Sequence, residues 1–208
     1  MKYRLAIFDS DGTLADTLPW LGSIFNELAD EHGFRRIEAH ELERFRNLHG
    51  HQFLRELDLP VWKLPRVMTA VRRRMAEHTG KLALFPGIGD MLHRLAASGI
   101  QLAVVSSNSR ENVQRILGAE NAKLITQFLC GASMFGKAAK LRQVVRASLV
   151  APGEAIYIGD EVRDAEAARK AGLAFGAVAW GLHDAKALRA ETPAAFFATV
   201  REIADTLC

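Results

Sequence analysis

The stretch Tyr3-Arg4-Leu5-Ala6-Ile7-Phe8-Asp9-Ser10-Asp11-Gly12-Thr13-Leu14 is an apolar run that stops on two acids and a glycine. Tyr3 to Phe8 has the length and composition of a buried strand, and Asp9 stands at its carboxyl end. Extended backbone repeats every two residues, so Asp9 and Asp11 point the same way. Gly12 permits a sharp turn close to a ligand. Read locally, the stretch is either an Asp-Gly turn or a pair of carboxylates that divide labour. In the second reading one acid stays ionised as nucleophile or metal ligand. Its neighbour has a raised pKa and carries a proton.

Working outward, two further apolar runs end in the same manner. Gln101 to Val105 runs into Ser106-Ser107-Asn108, and Ala155 to Ile158 runs into Gly159-Asp160. Ala174 to Ala179 is another strand candidate, and a shorter apolar run spans Phe128 to Gly131. Helical patterns separate them: one after Phe85-Pro86-Gly87, one from about Arg110 to Leu117, one over Lys137–Leu149 and one near Asp164–Ala171. This alternation predicts an α/β fold with a parallel sheet and helices on both faces. In such sheets the site lies beyond the carboxyl ends of the strands. The stretch from Leu18 to Lys81 has helical periodicity and no strand pattern. It is too long for one crossover helix and is expected to be an inserted cap. The domains are therefore residues 1–17 and 82–208 as core and residues 18–81 as helical cap.

Each polar cluster has a chemical reading and a structural one. Ser106, Ser107 and Asn108 offer donors for phosphate oxygens at a helix start, or simply cap that helix. Lys137 and Lys140 sit at a predicted helix N-terminus, where the macrodipole disfavours cations. Either an anion compensates them or they are a solvated pair. Asp160 and Asp164 flank a strand-to-helix turn and can approach one centre; the alternative is an acidic helix start. With Asp9 they suit Mg²⁺, which prefers a few carboxylates, waters and substrate phosphate oxygens.

Composition bounds the rest. The 208 residues are 49% hydrophobic and 25% charged, with a formal net charge of +3, as in an average soluble globular protein. The run Arg72-Arg73-Arg74 is read as a solvated helix face, and no nucleic-acid partner is expected. Cys130 and Cys208 make neither a disulfide framework nor a zinc site. No stretch approaches the roughly 20 apolar residues of a membrane span, and Met1 to Phe8 is too short for a signal sequence. A cytoplasmic location follows as the expectation.

Taken in order, Asp9-Ser10-Asp11-Gly12-Thr13, Ser106, Lys137 and Gly159-Asp160 with Asp164 resemble the haloacid dehalogenase superfamily. The resemblance is to its phosphatases with a helical cap, and more loosely to phosphoglycolate-phosphatase-like hydrolases. It implies a Rossmann-like core and a Mg²⁺-dependent phosphatase acting on a small phosphorylated metabolite. It implies Asp9 as the nucleophile that becomes an aspartyl-phosphate, and Asp11 as general acid and then base. Asp9, the Asp11 backbone, Asp160 and Asp164 would hold Mg²⁺. Ser106 and Lys137 would bind the phosphoryl group, with Ser107 and Asn108 beside them. Ala138 follows Lys137 where related phosphatases often have proline, so Lys140 stays an alternative. Arg46, His49 and His51 in the cap are the candidates for substrate contact, and Trp20 and Trp62 are expected in the cap core. A sugar-phosphate mutase on the same core and a non-catalytic binding protein are the competing readings. A phosphonate hydrolase would want an activated cap lysine, for which only Lys63 is available. Whether the protein is a monomer or a dimer stays open.

Overall fold

The computed structural model describes residues 2–48, 50–131 and 136–208. Six strands form one sheet: β1 Leu5–Phe8, β2 Gln101–Val105, β3 Ile125–Leu129, β4 Ala155–Gly159, β5 Ala174–Val178 and β6 Ala195–Phe197. Every pairing is parallel, in the order β3-β2-β1-β4-β5-β6. Helices α1 Leu18–His32, α2 Leu42–Arg46, α3 Gly50–Glu56 and α4 Leu64–His78 all fall between β1 and β2. Helices α5 Ile88–Ala97, α6 Arg110–Leu124, α7 Lys137–Ser148, α8 Val162–Ala171, α9 Ala185–Ala190 and α10 Val200–Leu207 flank the sheet.

The two-residue period of the strands sorts their side chains into two cores. Ala6 and Phe8 of β1 join Leu102, Val104, Ile156 and Ile158 against α5, α6 and α10. Leu5 and Ile7 join Ala103, Val105 and Tyr157 against α7, α8 and α9. A strand buried on both faces has no reason to alternate, which is why β1, β2 and β4 read as continuous apolar runs. Asp9 continues the parity of Leu5 and Ile7, so it faces α7 and α8. Register aligns the strand ends. Phe8 lies opposite both Val104 and Ile158, which brings Asp9, Ser106 and Asp160 to one edge of the sheet. Strand order reverses between β1 and β4, and the crevice at such a switch point is where open α/β sheets place ligands.

Helices α1 to α4 bury a core of their own. Leu28, Phe34, Phe45, Leu54, Leu57 and Val67 are among its members. The chain enters and leaves this unit side by side, with Ala15 bridged to Leu84 and Asp16 N–H donating to Ala83 O at 2.9 Å. Ala15, Met75, Leu82 and Ile116 seal the junction with the sheet domain.

Several elements differ from the sequence reading. The apolar run at Phe128 is the second half of β3, which starts at Ile125 because Ile125 is buried beside Leu102. Helix α6 continues beyond Leu117 through a non-helical Gly118 to Leu124. Trp20 packs at the junction with the sheet domain and not in the core of the helical unit, and Trp62 is 69% exposed. It sits in a short 3₁₀ turn, Val61–Lys63, that runs on the surface before α4. The Arg72–Arg74 run is not a plain solvated face. Arg72 Nε donates to Ser107 O at 2.9 Å, and Arg74 pairs with Glu27 at 3.3 Å and Glu31 at 2.5 Å. Only Arg73 of the three is exposed; Arg72 and Arg74 are half-buried. No described helix is long and apolar enough to cross a membrane.

Candidate active site

Three strand ends and two helix starts supply the site. Asp9 follows β1, with its Oδ1 accepting from the Ser10 N–H at 2.8 Å. Lys137 is the first residue of α7, and its Nζ donates to Asp9 Oδ2 and, at 2.7 Å, to Asp164 Oδ1. Here are the anions that compensate a cation at a helix N-terminus. Asp164 sits in the first turn of α8. Its Oδ2 accepts from the Glu161 N–H at 3.1 Å, and Tyr157 OH donates to its Oδ1 at 3.1 Å. Asp164 therefore caps the helix, as the acidic-helix-start reading expects, and also faces the lysine. Lys140 turns away and donates to the Cys130 carbonyl.

Asp160 is wholly buried and has no cationic partner among the described residues. Thr13 OH donates to its Oδ1 at 2.7 Å and Leu182 N–H to its Oδ2 at 2.8 Å. Two glycines make the space. A Cβ on Gly12 or on Gly181 would overlap the Asp160 side chain, and Gly12 also has φ +78°. Asp11 is half-buried and accepts from Asn108 Nδ2 at 3.3 and 3.2 Å. Asn108 N–H donates to Ser106 Oγ at 3.0 Å. The cap of α6 falls to Ser109, which accepts from Asn112 N–H at 3.2 Å. Ser106 and Asn108 are thereby left for the site.

Burial dominates the electrostatics. It pushes the Asp9 carboxyl up to about 7, against the pull of Lys137. It raises Asp160 far above the carboxylate range, with Glu161 and Asp164 adding to the effect. It raises Asp11 as well, opposed by the Asn108 hydrogen bond. Asp164 is the exception. Burial pushes it up, but Lys137 and Arg163 together outweigh burial and hold it below its ordinary value. For Lys137, burial is overcome by Asp164 and Asp9, which keep it charged.

Oxygens of Asp9, Asp160 and Asp164 lie within 4.8 Å of one another. Three clustered buried carboxylates, two of them bonded to the one ammonium, leave two formal negative charges, and a divalent cation would neutralise both. The donor set is all oxygen, which suits a hard cation such as Mg²⁺. The residues present therefore fit the metal.

The remaining sequence candidates divide. Ser107 contributes its carbonyl to Arg72. His51 lines a cavity of about 260 Å³ with Lys137, Arg163, Lys170 and His183. Arg46 instead donates to Leu182 O at 3.1 Å and Gly181 O at 3.0 Å, so it contacts the sheet domain's backbone. His49 lies outside the described residues. Lys63 Nζ donates to the carbonyls of His32 and Gly33 at 3.1 and 3.2 Å, closing the end of α1. The sequence reading missed Thr13, Tyr157, Gly181 and Leu182. Gly181 and Leu182 follow β5, and the strand-end argument used for the other strands would have pointed to them.

The fold is an α/β fold with a parallel sheet, and at its strand ends a buried aspartate stands beside a cation and a metal-competent carboxylate cluster. A family model described as haloacid dehalogenase-like hydrolase matches residues 6–178. The chain belongs to that family, and within it to the phosphoric monoester hydrolases that resemble phosphoglycolate phosphatase. It is 35% identical over 188 residues to the phosphoglycolate phosphatase of Synechococcus elongatus, covering 90% of this chain and 89% of that one. It is 31% identical over 186 residues to the protein CbbY of Cereibacter sphaeroides, covering 80% of each. A haloacid dehalogenase-like hydrolase from Streptococcus pneumoniae superposes with a TM-score of 0.80 at 22% identity, covering 100% of this chain and 99% of that one.

Proposed function

We propose that the protein is a Mg²⁺-dependent phosphatase that hydrolyses a small phosphomonoester through an aspartyl-phosphate on Asp9. The observation that carries this reading is the convergence of Asp9, Asp160 and Asp164 around Lys137 at the switch point of the sheet. Mg²⁺ bound by these carboxylates supplies charge neutralisation for the phosphoryl oxygens. The rest is done by the chain. Asp9 attacks phosphorus in line as the bond to the leaving oxygen breaks. Asp11, whose pKa burial raises, acts as the general acid and donates a proton to that oxygen. The Asp11 carboxylate then takes a proton from water as the water attacks the aspartyl-phosphate. Inorganic phosphate leaves and Asp9 is restored. Lys137 and Ser106 hold phosphoryl oxygens, while Asn108 orients Asp11 and Ser106.

Residues 1–17 and 82–208 act as the catalytic core in this reading, and residues 18–81 as a cap that keeps bulk water out. The identity to a phosphoglycolate phosphatase over nine-tenths of the chain favours a short phosphorylated acid as substrate. The two free thiols, Cys130 and Cys208, fit a reducing compartment, hence the cytoplasm.

The test is release of inorganic phosphate from phosphoglycolate and from a chromogenic ester, with and without Mg²⁺, on wild type and Asp9→Asn. Turnover is expected only from the wild type with Mg²⁺. Undiminished turnover by Asp9→Asn overturns the mechanism. Isomer formation without phosphate release points to a mutase instead.

A further inference from the structure

Two arginines of the helical unit each grip one peptide group of the sheet domain, and each of those peptide groups also holds a site side chain. At the first, Arg46 Nη2 donates to Gly181 O at 3.0 Å, and the N–H of the same peptide, that of Leu182, donates to Asp160 Oδ2 at 2.8 Å. At the second, Arg72 Nε donates to Ser107 O at 2.9 Å, and the N–H of that peptide, of Asn108, donates to Ser106 Oγ at 3.0 Å. A trans peptide points its C=O and N–H in opposite directions within one rigid plane. Fixing the oxygen therefore fixes the direction of the N–H. Charge on the donor to the oxygen also strengthens the N–H as a donor in turn.

The surroundings are consistent at both ends. Arg46 Nε also donates to Leu182 O at 3.1 Å, so its guanidinium spans two successive carbonyls. Asn47, next to it, accepts from the Asp184 N–H at 3.4 Å, and His183 N–H donates to Asp160 O at 3.3 Å. The 181–184 turn thus touches the helical unit on one side and Asp160 on the other. At the second end, Asn112 Nδ2 donates both to Arg72 O at 2.9 Å and to Asn108 Oδ1 at 3.1 Å. Neither arginine has a carboxylate partner among the described ion pairs.

We propose that Arg46 and Arg72 are positioning residues through which seating of the helical unit sets two separate parts of the site. Arg46 orients Asp160 for the metal, and Arg72 orients Ser106 for the phosphoryl group. The inference rests on the reading above, in which Asp160 is a metal ligand and Ser106 a phosphoryl contact. Its consequence is that the site is fully formed only when the helical unit sits over it, so water-accessible open states hold metal and phosphate less well.

The experiment is calorimetry on the intact protein, with Mg²⁺ as one probe and inorganic phosphate in Mg²⁺-saturated protein as the other. Arg46→Ala should weaken Mg²⁺ about three- to tenfold and shift the Leu182 amide resonance, the size expected for losing one or two hydrogen bonds. Arg72→Ala should leave Mg²⁺ affinity unchanged, weaken phosphate about three- to tenfold and shift the Asn108 amide resonance. Arg46→Lys keeps the charge without the fork and should recover only part of the loss. Equal losses of both ligands in both variants would mean that the arginines merely hold the two units together, and the proposal fails. No loss in either variant, or full recovery by Arg46→Lys, also overturns it. Asp160→Asn is the control for the underlying reading: if it binds Mg²⁺ as well as wild type, the metal assignment itself is wrong, and the role of Arg46 falls with it.

Discussion

Lys137 Nζ stands 2.7 Å from Asp164 Oδ1, with both side chains out of contact with solvent at the start of two adjacent helices. The same ammonium bonds Asp9. Removing one partner of a buried ion pair leaves an uncompensated charge. Lys137→Met is therefore expected to destabilise the metal-free protein by about 3–5 kcal/mol at neutral to basic pH. It should also lower kcat by at least about 10²-fold, the size of losing one preorganised electrostatic contact to the transition state. Among the described residues Lys140 bonds only a backbone carbonyl near β3, and Lys140→Ala should change kcat by no more than about threefold. Urea unfolding and phosphate release on both variants check this. Comparable losses of kcat in the two would undo the assignment of the lysine.

The pH dependence follows from the carboxylates. Asp9 is raised from 3.8 to about 7 by burial, so the folded metal-free chain keeps a proton that the unfolded chain has lost. That stabilisation is complete below pH 3.8 and is lost as pH rises through about 7. Asp160 is raised and has the same sign. Asp164 is lowered, so its contribution is present above its ordinary value and disappears as pH falls through the folded one. From about pH 3.8 to about pH 7 the raised Asp9 governs, with Asp160 adding in the same direction, and the metal-free protein should lose stability. If Mg²⁺ binds the ionised carboxylates as proposed, the rise in Tm that it causes should grow across the same interval. Melting curves with and without Mg²⁺ measure this. A Tm gain that is flat or shrinks with pH would contradict it.

Among the described residues, Asp11 differs from Asp9 in having no cation bonded to it. Its partner is the neutral Asn108 amide, and burial raises its carboxyl above the ordinary value. Asp11→Asn preserves the shape but can neither give nor take a proton. Turnover should fall by about 10² to 10⁴, the usual range for loss of a general acid-base group. Because Asp9 remains, an activated ester with a good leaving group should still phosphorylate it. The variant is expected to accumulate a stoichiometric covalent phosphoenzyme, seen as one added phosphoryl mass, which double substitution with Asp9→Asn removes.

Leu149 follows α7 with φ 55° and is 90% exposed. Left-handed backbone costs a residue with a Cβ roughly 1–2 kcal/mol, partly offset because glycine loses more entropy on folding. Nothing packs on the side chain enough to repay this. Leu149→Gly is expected to stabilise the protein by about 0.5–1 kcal/mol, with kcat unchanged, since the residue lies at the far end of the helix from Lys137. Equilibrium denaturation decides the sign.

The parallel sheet was legible because strands buried on both faces leave unbroken apolar runs, and because polar residues at Asp9, Ser106 and Asp160 mark three strand ends. What the runs could not convey was the weaker edge of the sheet. Thr126 and Gln127 interrupt β3, and β6 has only three residues, so neither carries a strong pattern. The same limit applies to Arg46 and Arg72. A long cationic side chain gives no sequence signal for bonding a backbone carbonyl more than 30 residues away rather than a substrate or solvent. Trp62 misled because size and apolarity usually mean burial, whereas here its 3₁₀ turn follows Pro60 on the surface. Gly181 was overlooked because the strand-end argument stopped one strand short, at β4.

That glycine supports a sharp test. Its missing Cβ leaves the room into which Asp160 fits, so Gly181→Ala forces the carboxylate or the 181–182 peptide to move. The neighbours offer little relief: Asp160 is fully buried, held by Thr13 and Leu182, and walled by Gly12 on its other side. Mg²⁺ affinity should drop by more than about tenfold, since a shift of even a few tenths of an ångström spoils a metal that tolerates little departure from octahedral geometry at about 2.1 Å. Gly153 serves as the reference. A Cβ there meets nothing within 4 Å, and Gly153→Ala should leave Mg²⁺ binding and kcat unchanged. Calorimetric titration of both variants against wild type measures the difference. If Gly181→Ala binds Mg²⁺ like Gly153→Ala, Asp160 does not need the position it occupies, and its place in the metal site is lost.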